Sequence, residues 1–433
     1  QGRDVNALMT AGQLINWGMP TLAAEMLNAL DCQRTLPLYL QASLLPKAER
    51  GELVAKAIDV FPQFVRFPNT LEEVAALESI EECWFARHLL ACFYYNKRSY
   101  NKAIALWQRC VEMSPEFADG WRGLAIHAWN KQHDYELAAR YLDNAYQLAP
   151  QDARLLFERD LLDKLSGATP EKRLARLENN LEIALKRDDM TAELLNLWHL
   201  TGQADKAADI LATRKFHPWE GGEGKITSQF ILNQLLRAWQ HLDTREPQQA
   251  SELLHAALHY PENLSEGRLP GQTDNDIWFW QAICANAQGD QTEAMRCLRL
   301  AATGDRTINI HSYYNDQPVD YLFWQGMALR LLGEQQTAQQ LFSEMKQWAQ
   351  EMAKTSIEAD FFAVSQPDLL SLYGDLQQQH KEKCLMVAML ASAGLGEVAH
   401  YESARAELTA INPAWPKAAL FTTVMPFIFN RVH

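Results

Sequence analysis

The sequence predicts an all-α protein, built as a right-handed solenoid of about seven or eight helical hairpins. Two observations support this prediction. A residue pattern recurs at constant spacing in the first half of the chain, and no strand-like alternation of apolar and polar residues runs for more than a few positions. The chain has 433 residues, of which 48% are hydrophobic and 22% charged, so it can bury a large core.

The clearest pair of repeats lies between Cys83 and Pro150. Matched positions, such as Ala103 and Ala138, are 35 residues apart, close to the ~34 residues of a tetratricopeptide unit. A small residue at a helix crossing lets two helices approach, and a bulky residue four positions later fills the groove beside it. The first copy supplies Ala91, Tyr94, Tyr100, Ala103, Trp107 and Pro115, and the second supplies Ile126, Trp129, Tyr135, Ala138, Leu142 and Pro150.

Weaker copies of this pattern follow along the chain, with less regular helices between residues 38 and 80. The best break, at residues 166–170, separates N-terminal repeats (1–165) from C-terminal repeats (166–433) that continue the same solenoid. An apolar helical face begins almost at Gln1 without a polar cap, so we expect the chain to come from a longer protein. The weaker copies are marked by Ala11, Gly18, Ala23 and Leu27, by Gly202, Ala207 and Leu211, by Ala250, Leu254, Ala257 and Pro261, by Gly289, Ala294, Leu298 and Ala301, and by Gly326, Gly333, Ala338 and Phe342.

The charge balance disfavours two classes of partner. Forty Lys and Arg residues against 54 Asp and Glu residues give a net charge of −14. Such a surface repels both nucleic-acid phosphates and anionic membranes. The most apolar segment, residues 418–429, is too short to span a membrane and contains Pro426, so we expect an end cap packed on the last helices.

The sequence contains no recognisable catalytic, metal or cofactor site. The seven cysteines are irregularly spaced without a C-x-x-C pair, which predicts reduced, buried thiols and a cytoplasmic location. No H-E-x-x-H or G-x-S-x-G motif occurs. The run Gly222-Glu223-Gly224-Lys225 lacks the first glycine and the final Ser or Thr of a phosphate-binding loop. The composition therefore favours a binding module over an enzyme.

Two loops, residues 217–225 and 260–271, are longer than a connection between hairpins requires. They are about one repeat apart, so stacking of neighbouring hairpins predicts that they touch. Either Glu220 or Glu223 pairs with Arg268 and locks the hairpins together, or the loops form a polar docking site. The aromatic run 278–280 cannot face one side of a helix, so at least one of its rings is expected to point to the concave surface or a partner. The candidate ligand- or domain-docking residues are Trp219, Glu220, Glu223, Lys225, Tyr260, Glu262, Asn263, Glu266, Arg268, Trp278 and Trp280.

The two loops also resemble a known family. H-P-W-E-G-G-E-G-K at 217–225 and Y-P-E-N-L-S-E-G-R-L at 260–269 are similar to the repeat region of a bacterial family that carries an N-terminal domain of unknown function, number 5107. Residues 61–68 resemble the same family, whereas Ser265 stands where glycine is expected. The resemblance implies a mutarotase-like β-sandwich preceding these repeats and a carbohydrate-related role for the whole protein. It implies no catalytic residues in this half.

Two functions are consistent with these observations. The first is a non-catalytic tetratricopeptide-type scaffold that binds a protein partner or its own N-terminal domain. The second is the accessory half of a carbohydrate-active bacterial enzyme, whose loops help to close a saccharide site.

Overall fold

The computed structural model describes residues 2–30, 34–60, 67–219, 221–269, 271–308, 318–357 and 371–431. Every regular element in this part of the chain is helical, which confirms the predicted all-α architecture of tetratricopeptide-like hairpins. The chain divides into two compact units: unit 1 comprises Gln1–Arg159 with Phe361–Tyr373, and unit 2 comprises Asp160–Asp360 with Gly374–His433.

Unit 1 consists of paired helices. Helix α1 packs on α2, α3 on α4, α6 on α7 and α8 on α9. The two best-patterned hairpins are therefore α6/α7 and α8/α9, and they are neighbours because α7 packs on α8. Their bounds are α1 Gly2–Asn16, α2 Pro20–Leu30, α3 Thr35–Ser43, α4 Gly51–Asp59, α5 Leu71–Glu78, α6 Trp84–Asn96, α7 Tyr100–Met113, α8 Ala118–His127, α9 Tyr135–Leu148 and α10 Ala153–Leu165, the last of which continues into unit 2.

The repeat residues of these hairpins explain their packing. Ala103 and Ala138, the small residues of the pattern, are fully buried at the helix crossings. Trp107 of α7 is also fully buried and lies against Gly123 of α8, where an added Cβ atom would be 2.3 Å from the ring. A bulky residue of one hairpin therefore fills a space left by a glycine in the next.

A single left-handed residue closes the turn inside many of the hairpins. In the first turn, the amide of Met19 donates to the carbonyl of Leu14, as in a Schellman motif. The same bond joins Ser99 to Tyr94. Glycine adopts this conformation without steric cost, whereas other residues are strained. The left-handed turn residues, with φ between 55° and 87°, are Gly18, Arg98, His133, Gly202, Arg245, Gly289, Gly333 and Gly396.

Unit 2 repeats the hairpin arrangement and adds a final helix. Helix α13 packs on α14, α15 on α16, α17 on α18, α19 on α20, and α21 on α22. We call the first helix of each pair the A helix. The bounds are α11 Pro170–Glu178, α12 Leu181–Ala184, α13 Asp188–Leu200, α14 Ala204–Thr213, α15 Lys225–Asp243, α16 Pro247–Ala257, α17 Asn275–Ala287, α18 Gln291–Ala301, α19 Val319–Leu331, α20 Gln335–Met352, α21 Leu376–Gly394, α22 Val398–Ile411 and α23 Ala418–Arg431.

Most of the cysteines lie within the part of the chain that the structure describes, and these are buried and free, as predicted. Cys32 is outside the described residues. None of the described helices is both long and apolar enough to span a bilayer. The buried free cysteines are Cys83, Cys92, Cys110, Cys284, Cys297 and Cys384.

Candidate functional site

The two predicted loops touch each other. The backbone amide of Gly224 donates to the Glu266 carboxylate at 2.7 Å, and the amide of Phe216 donates to the Asn263 carbonyl at 2.8 Å. The Asn263 side chain donates to the carbonyls of Leu211, in the last turn of helix α14, and of Arg214, directly after it. The second loop therefore satisfies backbone groups in the first loop and in the segment just before it, which fastens one hairpin to the next.

The described ionic partner of Arg268 is an acid that was not among those predicted. Arg268 donates to the carboxylate of Asp274 and to the carbonyl of Leu258, and its guanidinium lies 5.7 Å from the centre of the Tyr260 ring. Arg268 thus binds an acid six residues away in its own segment. The acid that bridges the loops is Glu266, and it binds a backbone amide at the start of helix α15, where the helix dipole favours an anion.

The remaining loop candidates lie on the rim of this contact. Trp219 is half-buried with its ring against Gly222. Glu223, Lys225 and Glu262 are exposed. Glu220 lies outside the described residues.

The side chains of the aromatic run at 278–280 do not all point the same way. Trp278 is half-buried, and the Arg296 guanidinium of α18 lies 5.4 Å from its ring centre. Trp280 is 2% exposed and contacts Trp239 of α15, Trp324 of α19 and Phe427 of α23. One ring therefore faces another segment of this chain, namely the C-terminal helix.

Helix α23 crosses the A helices of unit 2. It packs against α13 and α15. Its Phe421 stacks on Trp324 of α19, with the ring centres 5.8 Å apart, and its Phe427 lies 5.3 Å from Trp239 of α15. The predicted end cap is partly correct, because Phe429 also contacts Tyr401 of α22, but the helix reaches far beyond the last hairpin. We call the surface of α13, α15, α17 and α19 that holds α23 the A-helix face.

A buried ionic pocket holds the start of this helix. The Lys417 ammonium lies 3.0 Å from the Asp276 carboxylate of α17 and 2.5 Å from the Asp320 carboxylate of α19. It also lies 5.1 Å from the centre of the Tyr321 ring. The side chains of Asp276 and Asp320 are 0% and 5% exposed, so both carboxylates depend on the lysine for their charge balance.

The pKa shifts in the pocket show how the charge is shared. Burial by itself lowers the pKa of Lys417, but the attraction of Asp276 and Asp320 outweighs burial and raises the pKa above its ordinary value. Burial raises the pKa of Asp320, and the charge of Lys417 opposes that increase. Two carboxylates share one ammonium, so the pocket is an acidic receptor that requires a cation.

A short repeated motif in the sequence marks this pocket, although the prediction from sequence missed it. Asp276 and Trp280 begin and end D-I-W-F-W, and Asp320 and Trp324 begin and end D-Y-L-F-W. In a helix, positions i and i+4 share a face, so each copy presents an acid and a tryptophan together. The shared D-x-x-F-W pattern would have identified both acids from the sequence.

No catalytic arrangement accompanies the pocket in the part of the chain that is described. Burial raises the pKa of the Cys284 and Cys297 thiols to about 12, so neither is a thiolate nucleophile near neutral pH. The described histidines, cysteines and acids form no group of three that could hold a metal ion. The site combines an acidic pocket that binds a cation with a set of aromatic side chains that binds a helix.

No protein-family model matches the sequence. Among solved structures, the chain is similar to YrrB, a TPR protein with an unusual peptide-binding site, at 14% identity and a TM-score of 0.28, over 52% of this chain and 89% of that chain. It is similar to Naa15/Naa10 bound to HypK-THB at 14% identity and a TM-score of 0.36, over 81% and 58%. It is similar to the P58(IPK) TPR domain at 13% identity and a TM-score of 0.23, over 89% and 98%. At these TM-scores, no property of those proteins is transferred to this chain.

Proposed function

We propose that this chain is a non-catalytic helical-repeat scaffold that binds a helical segment of a protein partner on the A-helix face of unit 2. One observation carries the proposal: this face already holds a helix, α23, through aromatic contacts with three different hairpins. A groove that accepts one amphipathic helix has the shape and the apolar surface to accept another.

The chemistry of the face also favours protein over other ligands. Trp239, Trp280 and Trp324 supply large apolar contacts of the kind that dominate the energy of protein interfaces. The net charge of −14 disfavours nucleic acid, and the buried acids favour a cationic side chain. In the two loops, by contrast, the side chains of Asn263, Glu266 and Arg268 make hydrogen bonds within unit 2. These bonds support a structural role for most of the polar groups of the loops.

The test uses a variant of the 433-residue chain in which α23 binds the A-helix face less tightly. Phe427→Ala removes the ring that contacts Trp239 and Trp280, so α23 competes less well for the face. A fluorescent peptide of residues 414–431 is titrated into both proteins and binding is followed by anisotropy. We expect the variant to bind the peptide at least about tenfold more tightly than the unmodified chain, in which α23 occupies the site at high effective concentration.

Thr422→Ala is the matched control, because Thr422 is an exposed residue of the same helix. This variant should bind the peptide as weakly as the unmodified chain. Circular dichroism and urea unfolding establish that both variants are folded. Failure of a folded Phe427→Ala protein to bind the peptide would contradict the proposal.

The carbohydrate-related alternative and the N-terminal partner domain remain predictions from the sequence resemblance. In this alternative, exposed Glu262 and Lys225 and half-buried Trp219 are the loop residues that would contact a saccharide. An oligosaccharide panel tested against the full-length chain, with Trp219→Ala as the comparison, would decide this. Binding that depends on Trp219 would support the alternative.

A further inference from the structure

We propose that Asp276, Asp320 and Tyr321 form a lysine-recognition pocket that gives the A-helix face its specificity. In this proposal Lys417 is the occupant supplied by the chain itself. A partner helix that is directly preceded by a lysine and has an aromatic residue four positions after that lysine, as α23 has, competes for the same place. The inference rests on the proposed function and names the chemistry of the partner.

Lys417 has an unfavourable local conformation in a turn that the amide of Ala418 closes by donating to the carbonyl of Trp415. It adopts a left-handed backbone with φ of 59°, which is strained for a residue with a side chain. It also places a positive charge directly before the first residue of α23, where the helix dipole disfavours cations. Residues held against local preference tend to mark functional contacts, and here the contact is the pair of carboxylates.

The pocket is built for a compact cation. Its two acids come from different helices, α17 and α19, and both approach the single Nζ atom of Lys417. A third buried acid nearby in sequence, Asp274, is already neutralised by Arg268. An ammonium can donate to two separate carboxylates and lie against the Tyr321 ring at once. A planar guanidinium instead prefers both oxygens of one carboxylate, so the geometry selects lysine over arginine.

The aromatic contacts complete the recognition pattern. Counting from Lys417, Phe421 is four residues on and stacks against Trp324, and Phe427 is ten residues on and contacts Trp280. The matching partner is therefore a helix directly preceded by a lysine, with aromatic residues four and ten positions after that lysine. The charge of the lysine complements the acids, and the rings complement the tryptophans.

Two features show that α23 is an imperfect occupant, open to competition. Pro426 lies inside the helix, where it removes a backbone hydrogen bond and disfavours helical geometry. The indole N–H groups of Trp280 and Trp324 are buried without an acceptor among the described residues. An uninterrupted helix with the same anchors and a polar acceptor would satisfy the face better than α23 does.

The test opens the pocket in the full-length chain. Lys417→Met and Phe427→Ala together free the acids and the ring site from α23, and circular dichroism establishes that the double variant is folded. Labelled peptides of residues 414–431 are then titrated by anisotropy. The unmodified peptide should bind at least tenfold more tightly than the same peptide with Lys417→Met. The Lys417→Arg peptide should fall between them, the Pro426→Ala peptide should bind most tightly, and the Thr422→Ala peptide should match the unmodified one.

The outcomes separate the two proposals. Binding that is equal for the unmodified and Lys417→Met peptides overturns the lysine pocket and leaves the helix-binding scaffold intact. Absence of binding by every peptide overturns the scaffold itself. If the double variant does not fold, hydrogen exchange in the full-length Lys417→Met protein supplies the test. Amides of residues 418–431 should then exchange at least tenfold faster than in the unmodified chain, and unchanged exchange would overturn the pocket.

Discussion

The carboxylate of Glu266 accepts the backbone amide of Gly224 at 2.7 Å, across two loops whose residues are 42 positions apart. The amide belongs to the residue that caps helix α15, so the bond joins a charged acceptor to the positive end of a helix dipole. It supports helix α15, which contributes Trp239 to the A-helix face.

The first prediction concerns this bond. Glu266→Ala should lower the free energy of unfolding by about 1–2 kcal/mol, because a partly buried amide loses a charge-assisted hydrogen bond. Glu266→Gln keeps an acceptor oxygen and should lose roughly half as much. Urea unfolding is the measurement. Glu262→Ala, in the same loop but exposed, serves as the control and should change the free energy by less than about 0.5 kcal/mol.

The second prediction concerns the contact of Trp107 with Gly123. Gly123→Ala places a Cβ atom 2.3 Å from the Trp107 indole, which is fully buried, so the surrounding core must shift to admit it. The cost should be about 1–3 kcal/mol of unfolding free energy. Gly51→Ala is the comparison, since Gly51 is helical and has no atom within 4 Å of the added carbon. It should be neutral or stabilising by about 0.5 kcal/mol, and equal effects of the two substitutions would refute this packing.

The third prediction concerns the stability of the protein at acidic pH. Burial lowers the pKa of His199 to about 4, and burial likewise lowers that of His88 to about 4. The Asn233 amide donates to His199 Nε2, so the neutral ring donates from Nδ1 to Gln229. Between pH 6.5, the ordinary value, and pH 4, the unfolded chain binds protons that the folded chain does not. Stability therefore falls as the pH is lowered, by about 2 kcal/mol per histidine at about pH 5.

His199→Gln isolates the contribution of His199 to the pH dependence. The glutamine side chain is uncharged at every pH and can both donate and accept hydrogen bonds. Urea unfolding of both proteins from about pH 8 to about pH 5 should show a shallower loss of stability in the variant. Identical pH dependence in the two proteins would mean that His199 titrates normally in the folded state.

The fourth prediction concerns the ionic pocket. Lys417→Met leaves two buried carboxylates without their cation and should cost about 3–5 kcal/mol of unfolding free energy. Adding Asp276→Asn and Asp320→Asn removes the uncompensated charge and should restore most of the loss. Urea unfolding of the single and triple variants tests whether Lys417 acts by compensating the charge of the two acids. If its role were purely steric, the triple variant would be no more stable than the single variant.

Much of the local architecture could be predicted from the sequence, because it depends on residues close together in the chain. The spacing between Ala103 and Ala138 located the α6/α7 and α8/α9 hairpins. The one-repeat offset of the two loops predicted their contact, because stacked hairpins bring equivalent corners together. The sequence did not identify Asp274 as a partner of Arg268, since charge alone did not distinguish an acid across the loop from one in the same segment.

The position of α23 could not be predicted in the same way. Its apolar residues show that the helix must be buried, but periodicity carries no information about which distant helices bury it. The pocket was different, because the recurrence of D-x-x-F-W at Asp276 and Asp320 was present in the sequence. The repeated pattern does not identify the third member of the pocket, Lys417. This lysine contacts the two acids only because α23 lies across the other helices.

The path of α23 changes how unit 2 must be assembled during synthesis. Stacked hairpins need only their immediate neighbours, so they can form one after another as the chain leaves the ribosome. Trp239 and Phe427 are 188 positions apart, and their contact cannot exist until all of the intervening hairpins have been synthesised. Until then the tryptophans of the A-helix face lack the rings of α23. A chain that ends prematurely before Ala418 never covers them, and it exposes the kind of apolar surface on which chaperones and proteases act.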